Sequence, residues 1–473
     1  MHLLVFIQGE WHLRTVHVLF GHLTAAFGLY LLHQYVQSSS TGSLIPVVHL
    51  AMAYLSSLFL SICRNSTNFL VMQKMHEQYG DLVRTGPNEI SIFRPDGIEL
   101  LDGYKSTNER DVWYDILHPR KALVFARKFG EMRELRASWS QAVSSKSVNE
   151  YSTRVIRLSD DLIECILSYR NEPVKLNDVM SWFSFDAMGE IAFSESFGML
   201  ENRQTKVELA HQRQALALLA PLNDATWIAH LGFSLFPYPG TVRAWWASVR
   251  FCCEIMEKRM ASQSNKTDMA NISAVVAGSD TTRASLIGIW YFLCKHPEHA
   301  NKIYSEVQNI DVNDVHKLAS LPHLNAVIKE LLRLAPPAMT GSPRLTGPNG
   351  LWVGDRWIPA GVKVTAPKFV AHHLSSAFVH PTDFIPERWT TRPELVLDIR
   401  AYAPFSTGPH QCIGKSISFL EMRVVTTKII QRFHVSFSHI SGHKPEAFWA
   451  DMKDQVTMMP GDTYCCFAQR SLP

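Results

Sequence analysis

The sequence predicts a mainly α (α+β) fold: a helical body with a small β-rich region, preceded by an N-terminal membrane-anchor region. Three observations carry that expectation. Apolar residues recur at helical spacing, most clearly from Ile413 through Ile417, Leu420, Val424 and Val425 to Ile429, Ile430 and Phe433. Short runs bounded by Gly, Pro and Asn read as strands and turns between Tyr79 and Ile92 and between Arg344 and Val364. The first sixty or so residues are unlike the remainder, with two long apolar stretches.

Composition narrows the function classes. A chain of 473 residues can bury a large core, and length alone allows about three domains. Hydrophobic content of 46% with 19% charged residues fits a globular protein with some membrane contact. The net charge of +3 gives no basic surface of the kind nucleic acid needs, so no nucleic-acid partner is expected. The 8 cysteines show no C-x-x-C pair and no zinc spacing. They are sparse for a disulfide scaffold and fit a reducing compartment.

In chain order, Thr15–Val36 is apolar but interrupted by His17, His22 and His33, and Leu44–Ile62 is about long enough to span a bilayer. No small-residue cleavage site follows, so residues 1–64 read as an uncleaved anchor and residues 65–473 as the body of the protein. Buried core helices are the alternative for the same stretches. Tyr79–Ile92 reads as a hairpin around Gly86-Pro87-Asn88. Phe125–Arg170 is helical in pattern, and residues 175–260 mostly so, with a loop at Pro237–Gly240. Asp268–Lys295 predicts a long apolar helix stopped by His296-Pro297. Within it, Ala277-Gly278-Ser279-Asp280-Thr281-Thr282 lowers helix propensity and buries an acid, which is expensive unless the acid is paired or used. Small Ala277 and Gly278 leave space beside the helix, and a hydroxyl beside a carboxylate can relay protons. Pro322–Leu334 predicts another helix carrying Glu330 and Arg333 on one side. The tail holds Cys465-Cys466, expected to be buried or free.

Phe405-Ser406-Thr407-Gly408-Pro409-His410-Gln411-Cys412-Ile413-Gly414 is the chemically richest stretch. Cys412 lies at or just before a predicted helix N-terminus, where the dipole favours a thiolate, a soft and strongly donating metal ligand. Gly408 permits a tight turn, Gly414 lets something flat approach the backbone, and Phe405 can cover the sulfur. Such a loop can hold a haem iron by one axial sulfur. A lone cysteine in an apolar stretch is otherwise usually a small buried hydrophobe.

The pattern F-x-x-G-x-[R/H]-x-C-x-G resembles the haem-binding signature of the cytochrome P450 family, with His410 where that family most often has Arg. Three further segments resemble family motifs in the same order: Ala277–Thr282, Glu330–Arg333 and Phe384–Trp389. The resemblance covers roughly Tyr79 to Pro473 and implies a cytochrome P450 fold. It makes Cys412 the axial thiolate ligand of haem b. It gives Arg136, Arg344 and His410 as basic contacts to the haem, His410 being protonated beside a propionate. Glu330, Arg333 and Arg388 become a buried network supporting the cysteine loop, Ala335–Thr340 a pocket wall, and Trp227, Phe233, Phe236 and Tyr238 possible lid residues. Asp280 is implied as the proton-delivery acid and Thr281 as its partner hydroxyl.

The implied activity is monooxygenation of a small apolar organic substrate with O2, in fungal secondary metabolism. Electrons come one at a time from NADPH through NADPH-cytochrome P450 reductase. The implied location is the endoplasmic reticulum membrane, in contact with lipid, with the catalytic body facing the cytoplasm. Two departures favour a competing reading, a non-catalytic haem-binding or inactive product: no proline occurs between Cys63 and Tyr79, and the connection Arg259–Ala270 is short.

Overall fold

The computed structural model describes residues 66–86, 88–115, 122–210, 240–262, 268–269, 272–439 and 442–470. The anchor region 1–64 and the lid residues Trp227, Phe233, Phe236 and Tyr238 lie outside the described residues. Among the described residues, no helix is long and apolar enough to cross a membrane.

Helix α1 (Asn68–Tyr79) leads into the hairpin of β1 (Leu82–Gly86) and β2 (Glu89–Ile92), paired antiparallel with Leu82 opposite Ile92. Helix α2 (Gly97–Asp102) and the short strand β3 (Glu109–Arg110) follow. Strands β4 (Arg344–Leu345) and β5 (Lys363–Thr365) return from far along the chain to complete a five-stranded sheet in the order β1-β2-β5-β4-β3. The β2–β5 pair is parallel and the others antiparallel. The β3–β4 register places Arg110 directly opposite Arg344.

The expected helical run Phe125–Arg170 is two helices, α3 (Phe129–Ser140) and α4 (Ser145–Leu167). Ser144 starts the second by accepting a hydrogen bond from the Ser147 N–H at 3.2 Å. Next come α5 (Leu176–Phe193), α6 (Gly240–Ala261) and α7 (Ile272–Lys295). α5 and the second half of α7 are buried on nearly all faces, which is why neither reads as amphipathic, and they form the centre of the core. The predicted start of α7 at Asp268 is corrected to Ile272. The Asp268 carboxylate instead accepts from the Ser194 hydroxyl at 2.7 Å and pairs with Arg259, which ties down the chain ahead of the helix.

Helices α8 (Pro297–Val307) and α9 (Pro322–Leu334) both begin on proline, whose fixed φ and missing N–H suit the first turn. Glu306 of α8 accepts from the N–H groups of His323 (2.8 Å) and Leu324 (2.9 Å), capping α9. Helix α10 (Lys368–His372) follows β5, and α11 (Lys415–Arg432) follows the cysteine loop. The apolar positions expected from Ile417 to Ile430 are buried along α11, while Phe433 opens a strand. That strand, Phe433–Phe437, pairs with Tyr464–Gln469, which buries Cys465.

The Glu330 carboxylate sits at the junction of α9, α10 and the Pro386–Trp389 turn. Its Oε1 accepts from Arg333 Nη2 (2.8 Å), Arg388 Nε (2.9 Å) and the Ile385 N–H (3.0 Å). Its Oε2 accepts from Arg333 Nε (3.0 Å) and Trp389 Nε1 (2.8 Å). All three charged side chains are fully buried. The remaining guanidinium donors reach carbonyls of His372, Pro381 and Asp383 from Arg333, and of Val379, His380 and Leu395 from Arg388. His372 Nδ1 donates to the Arg333 carbonyl and its Nε2 accepts from the Ala403 N–H at 3.2 Å, which carries the network into the start of the cysteine loop. A Glu330→Ala chain leaves two guanidiniums buried without their counter-charge, and we expect a loss of about 3–5 kcal/mol in denaturant unfolding.

Candidate functional site

The cysteine loop crosses the molecule between Ala403 and α11. Gly408 adopts φ +56°, and a Cβ there would lie 2.3 Å from the Asp102 carbonyl oxygen, so the turn at Gly408–His410 requires glycine. The Cys412 N–H donates to the Phe405 carbonyl at 2.8 Å, closing the loop. Phe405 packs its ring 5.4 Å from that of Phe419. Gly414 caps α11, so Cys412 stands just before the helix, as expected.

Cys412, Phe405, His410 and Gly414 face a cavity of about 340 Å³. Arg136 and Trp139 reach it from α3, Ala277, Gly278 and Thr281 from α7, and Arg344 from β4. Pro337 and Ala338 supply the wall expected from Ala335–Thr340, whereas Thr340 turns away and donates to Asp454 at 2.6 Å. Gly408, Glu330, Arg333 and Arg388 support the loop from behind and do not line the cavity.

One expectation about this site needs correction, and the structure adds detail to two others. First, the position before α11 does not bring the pKa of Cys412 below its ordinary value. The sulfur is open to the cavity but surrounded at depth by protein. Burial pushes its thiol above the ordinary value, outweighing the Gly414 N–H bond and the cations Arg136, Lys368 and Lys415. Second, the protein by itself does not protonate His410. Burial lowers it to about 4, Arg344, Arg110 and Arg136 repel a proton there, and Asp102 only partly opposes them. Third, Asp280 does not line the cavity. It is fully buried, 3.4 Å from Arg283 one turn along α7. Thr281 does face the cavity, with its hydroxyl donating to the Ala277 carbonyl at 2.9 Å. The space expected beside Gly278 is taken by Met188 of α5, whose Sδ would lie 2.6 Å from an added Cβ.

Two cavity cations are not marked by the sequence. Arg110 stands opposite Arg344 in the sheet and donates to the carbonyls of Leu123 (2.6 Å) and Ala126 (2.7 Å). Lys368, buried at the start of α10, is a lone lysine in the apolar run Val364–Val370, the one signal that could have singled it out. Arg344 donates to Asp102 at 2.9 Å, and Arg136 to the Gln411 carbonyl at 2.7 Å. Glu421 of α11 also lines the cavity. Burial pushes its carboxyl up to about 8, opposed only by a hydrogen bond with Thr282.

The residues present fit haem. Arg110, Arg136, Arg344 and Lys368 meet at one cavity with His410, and Asp102 is the carboxylate paired among them. Like charges facing each other across strands are unfavourable unless something anionic joins them. A carboxylate pair on a flat ligand meets that need. His410 Nδ1 is buried without a hydrogen-bond partner. A Cβ on Gly414 would touch only the Cys412 sulfur, at 3.9 Å, so open space lies above the backbone there.

A thiol at the floor of a cavity edged by cations, beneath a long helix, defines a haem-thiolate protein. The chain matches the cytochrome P450 family over residues 53–225 and 247–467, and it belongs to that family. It is 29% identical to cytochrome P450 monooxygenase phqL of Penicillium fellutanum, covering 89% of this chain and 78% of that protein. It is 30% identical to tryprostatin B 6-hydroxylase of Aspergillus fumigatus, covering 81% of this chain and 74% of that protein. The crystal structure of the cytochrome P450DA heme domain superposes with a TM-score of 0.74 over 90% of this chain and 98% of that one, at 17% identity, a likeness of fold. The protein is thus a haem-thiolate monooxygenase, an oxidoreductase that uses O2, an organic substrate and a redox partner.

The Glu421 carboxyl gives a pH signature. Its folded value lies above the ordinary one of 4.5, so the native state holds a proton that the unfolded chain releases. Its contribution to stability therefore falls as pH rises between about 4.5 and about 8. We expect the melting temperature of Glu421→Gln to fall less steeply than that of the parent between pH 6 and pH 8.

Proposed function

We propose that Cys412 is the axial haem ligand and that the protein inserts one oxygen atom from O2 into a small apolar substrate, in fungal secondary metabolism. The observation that carries this reading is the single cavity shared by Cys412, the cations around Arg344 and the small-residue stretch of α7. Haem held by a thiolate supplies reductive activation of O2, one oxygen atom going to the substrate and the other to water.

The chain's residues then have separable tasks. Arg136 and Arg344 bind the carboxylate edge, with Arg110 and Lys368 adding charge. His410 offers its unpartnered Nδ1 to the same edge; as a neutral donor it gives less attraction than the arginine common in the family. The Cys412 thiol loses its proton on metal ligation. Ala277 keeps the cavity open beside α7, and Leu332, Pro337 and Ala338 give an apolar wall for a carbon-rich substrate. Thr281 holds a hydroxyl at the cavity surface, where it can pass a proton inward. Asp280 supports it from within the helix, restrained by Arg283.

Electrons enter from the opposite face. A hollow of about 800 Å³ there is bordered by Lys329, Lys415 and Arg423. It shares Pro404, Phe405, Ser406 and Gln411 with the inner cavity, so the cysteine loop borders both. A positively charged recess suits the acidic surface of an NADPH-dependent reductase. Such a partnership, the apolar N-terminal stretches and the kinship with fungal monooxygenases favour an endoplasmic reticulum location, with residues 1–64 contacting lipid and the body facing the cytoplasm.

The test is the reduced, carbon-monoxide difference spectrum of the purified chain. The parent should show the thiolate-type Soret band and Cys412→Ser should lose it. A parent spectrum of neutral-thiol or imidazole type would sink the assignment. In reductase-supported turnover, Thr281→Ala should lower product formation by about 10²-fold or more while the spectrum persists.

A further inference from the structure

Away from the cavity, three ligand-type side chains converge where α8, α9 and the Pro386–Trp389 turn meet. His299 Nδ1 lies 3.0 Å from His323 Nε2 and 3.8 Å from Glu387 Oε1. The ligand atoms of the three residues all lie within 4.8 Å of one another. We propose that His299, His323 and Glu387 form a binding site for a divalent cation of the zinc class, completed by water.

The geometry favours a small tetrahedral ion. Zinc holds imidazole nitrogen and carboxylate oxygen at about 2.0–2.2 Å, which sets donors about 3.4 Å apart in a tetrahedron. The spacings of 3.0 and 3.8 Å bracket that value, so modest side-chain rotation closes the set. Two imidazoles and one carboxylate select zinc-like ions over calcium or magnesium, which prefer oxygen.

Each ligand is held by its own scaffold. His299 is 6% exposed, and Phe384 meets its ring edge-on at 5.5 Å. His323 is fixed at its backbone by Glu306. Glu387 is anchored by its neighbours Arg388 and Trp389, both bonded to Glu330.

Two hydrogen bonds compete with the ion, one of them between the His299 and His323 rings themselves. Lys302 Nζ donates to Glu387 Oε1 at 2.6 Å and must release it for the carboxylate to bind. Lys302 is about half exposed, so solvent is available to its ammonium when it leaves. An occupied site would join two helices to the turn that feeds the Glu330 network.

The test uses the full haem-loaded chain without a polyhistidine tag, stripped with chelator and dialysed against zinc chloride. Bound zinc is measured by atomic emission and its ligands by X-ray absorption at the zinc edge. The expected result is about one equivalent with nitrogen and oxygen donors and no sulfur. His323→Ala should weaken binding by roughly 10–100-fold or more, and Lys302→Met should tighten it. No zinc on the parent, sulfur in its coordination shell, or equal affinity in His323→Ala would each overturn the proposal. The absorption measurement on the parent decides the matter even where a variant folds poorly. None of these readouts depends on the role given to Cys412.

Discussion

The fold depends on one buried carboxylate. Glu330 collects both arginines, an indole and a backbone N–H within 3.0 Å, and the start of the cysteine loop is tied to it through Arg333 and His372. Removing three charges from water is unfavourable in itself, and it succeeds here because the guanidinium donors left over end on carbonyl oxygens. His372 and Leu395 end short helical segments, and the other carbonyls lie in the irregular stretch Val379–Asp383. The network therefore gives order to a stretch of chain with no helix or strand of its own. His372, held neutral by burial, passes that order on to Ala403 through one hydrogen bond.

Around the cavity, electrostatics run in the opposite sense. Arg110 and Arg344 face each other across two strands, and Asp102 pairs with only one of them. Tyr114 lies beneath both guanidiniums, 5.1 and 5.9 Å from its ring centre, and the aromatic face offsets some of their repulsion. The protein alone is thus left with positive charge that its own side chains do not neutralise. Burial is the main reason for the low basicity of His410, and the same charge adds to it.

Much of this was legible in the sequence because it rests on local patterns. The hairpin at Leu82–Ile92, α9, α11 and the motif order follow from turn residues, prolines and periodicity. Glu330, Arg333 and Arg388 converge as the resemblance implied. What the sequence hides depends on pairing between distant segments. Arg110 becomes a cavity residue only because β3 pairs with β4, more than two hundred positions away. Gly278 reads as a gap, yet Met188 of α5 fills it. The motif marks Asp280 but not its surroundings: the carboxylate lies off the cavity, buried 3.4 Å from Arg283. Burial reversed the expected acidity of Cys412, because depth outweighs a nearby helix terminus.

The facing arginines also bear on molecular selectivity. A receptor whose rim is crowded with cations admits flat ligands by their carboxylates and rejects the same skeleton once those are esterified. It is blind, however, to what occupies the middle of the ring. A tetrapyrrole lacking its metal would satisfy Arg110 and Arg344 equally well. Discrimination between a filled and an empty macrocycle then falls to the sulfur of Cys412 alone. The two ends of the cavity therefore read different properties of one ligand, its outline at the rim and its centre at the floor.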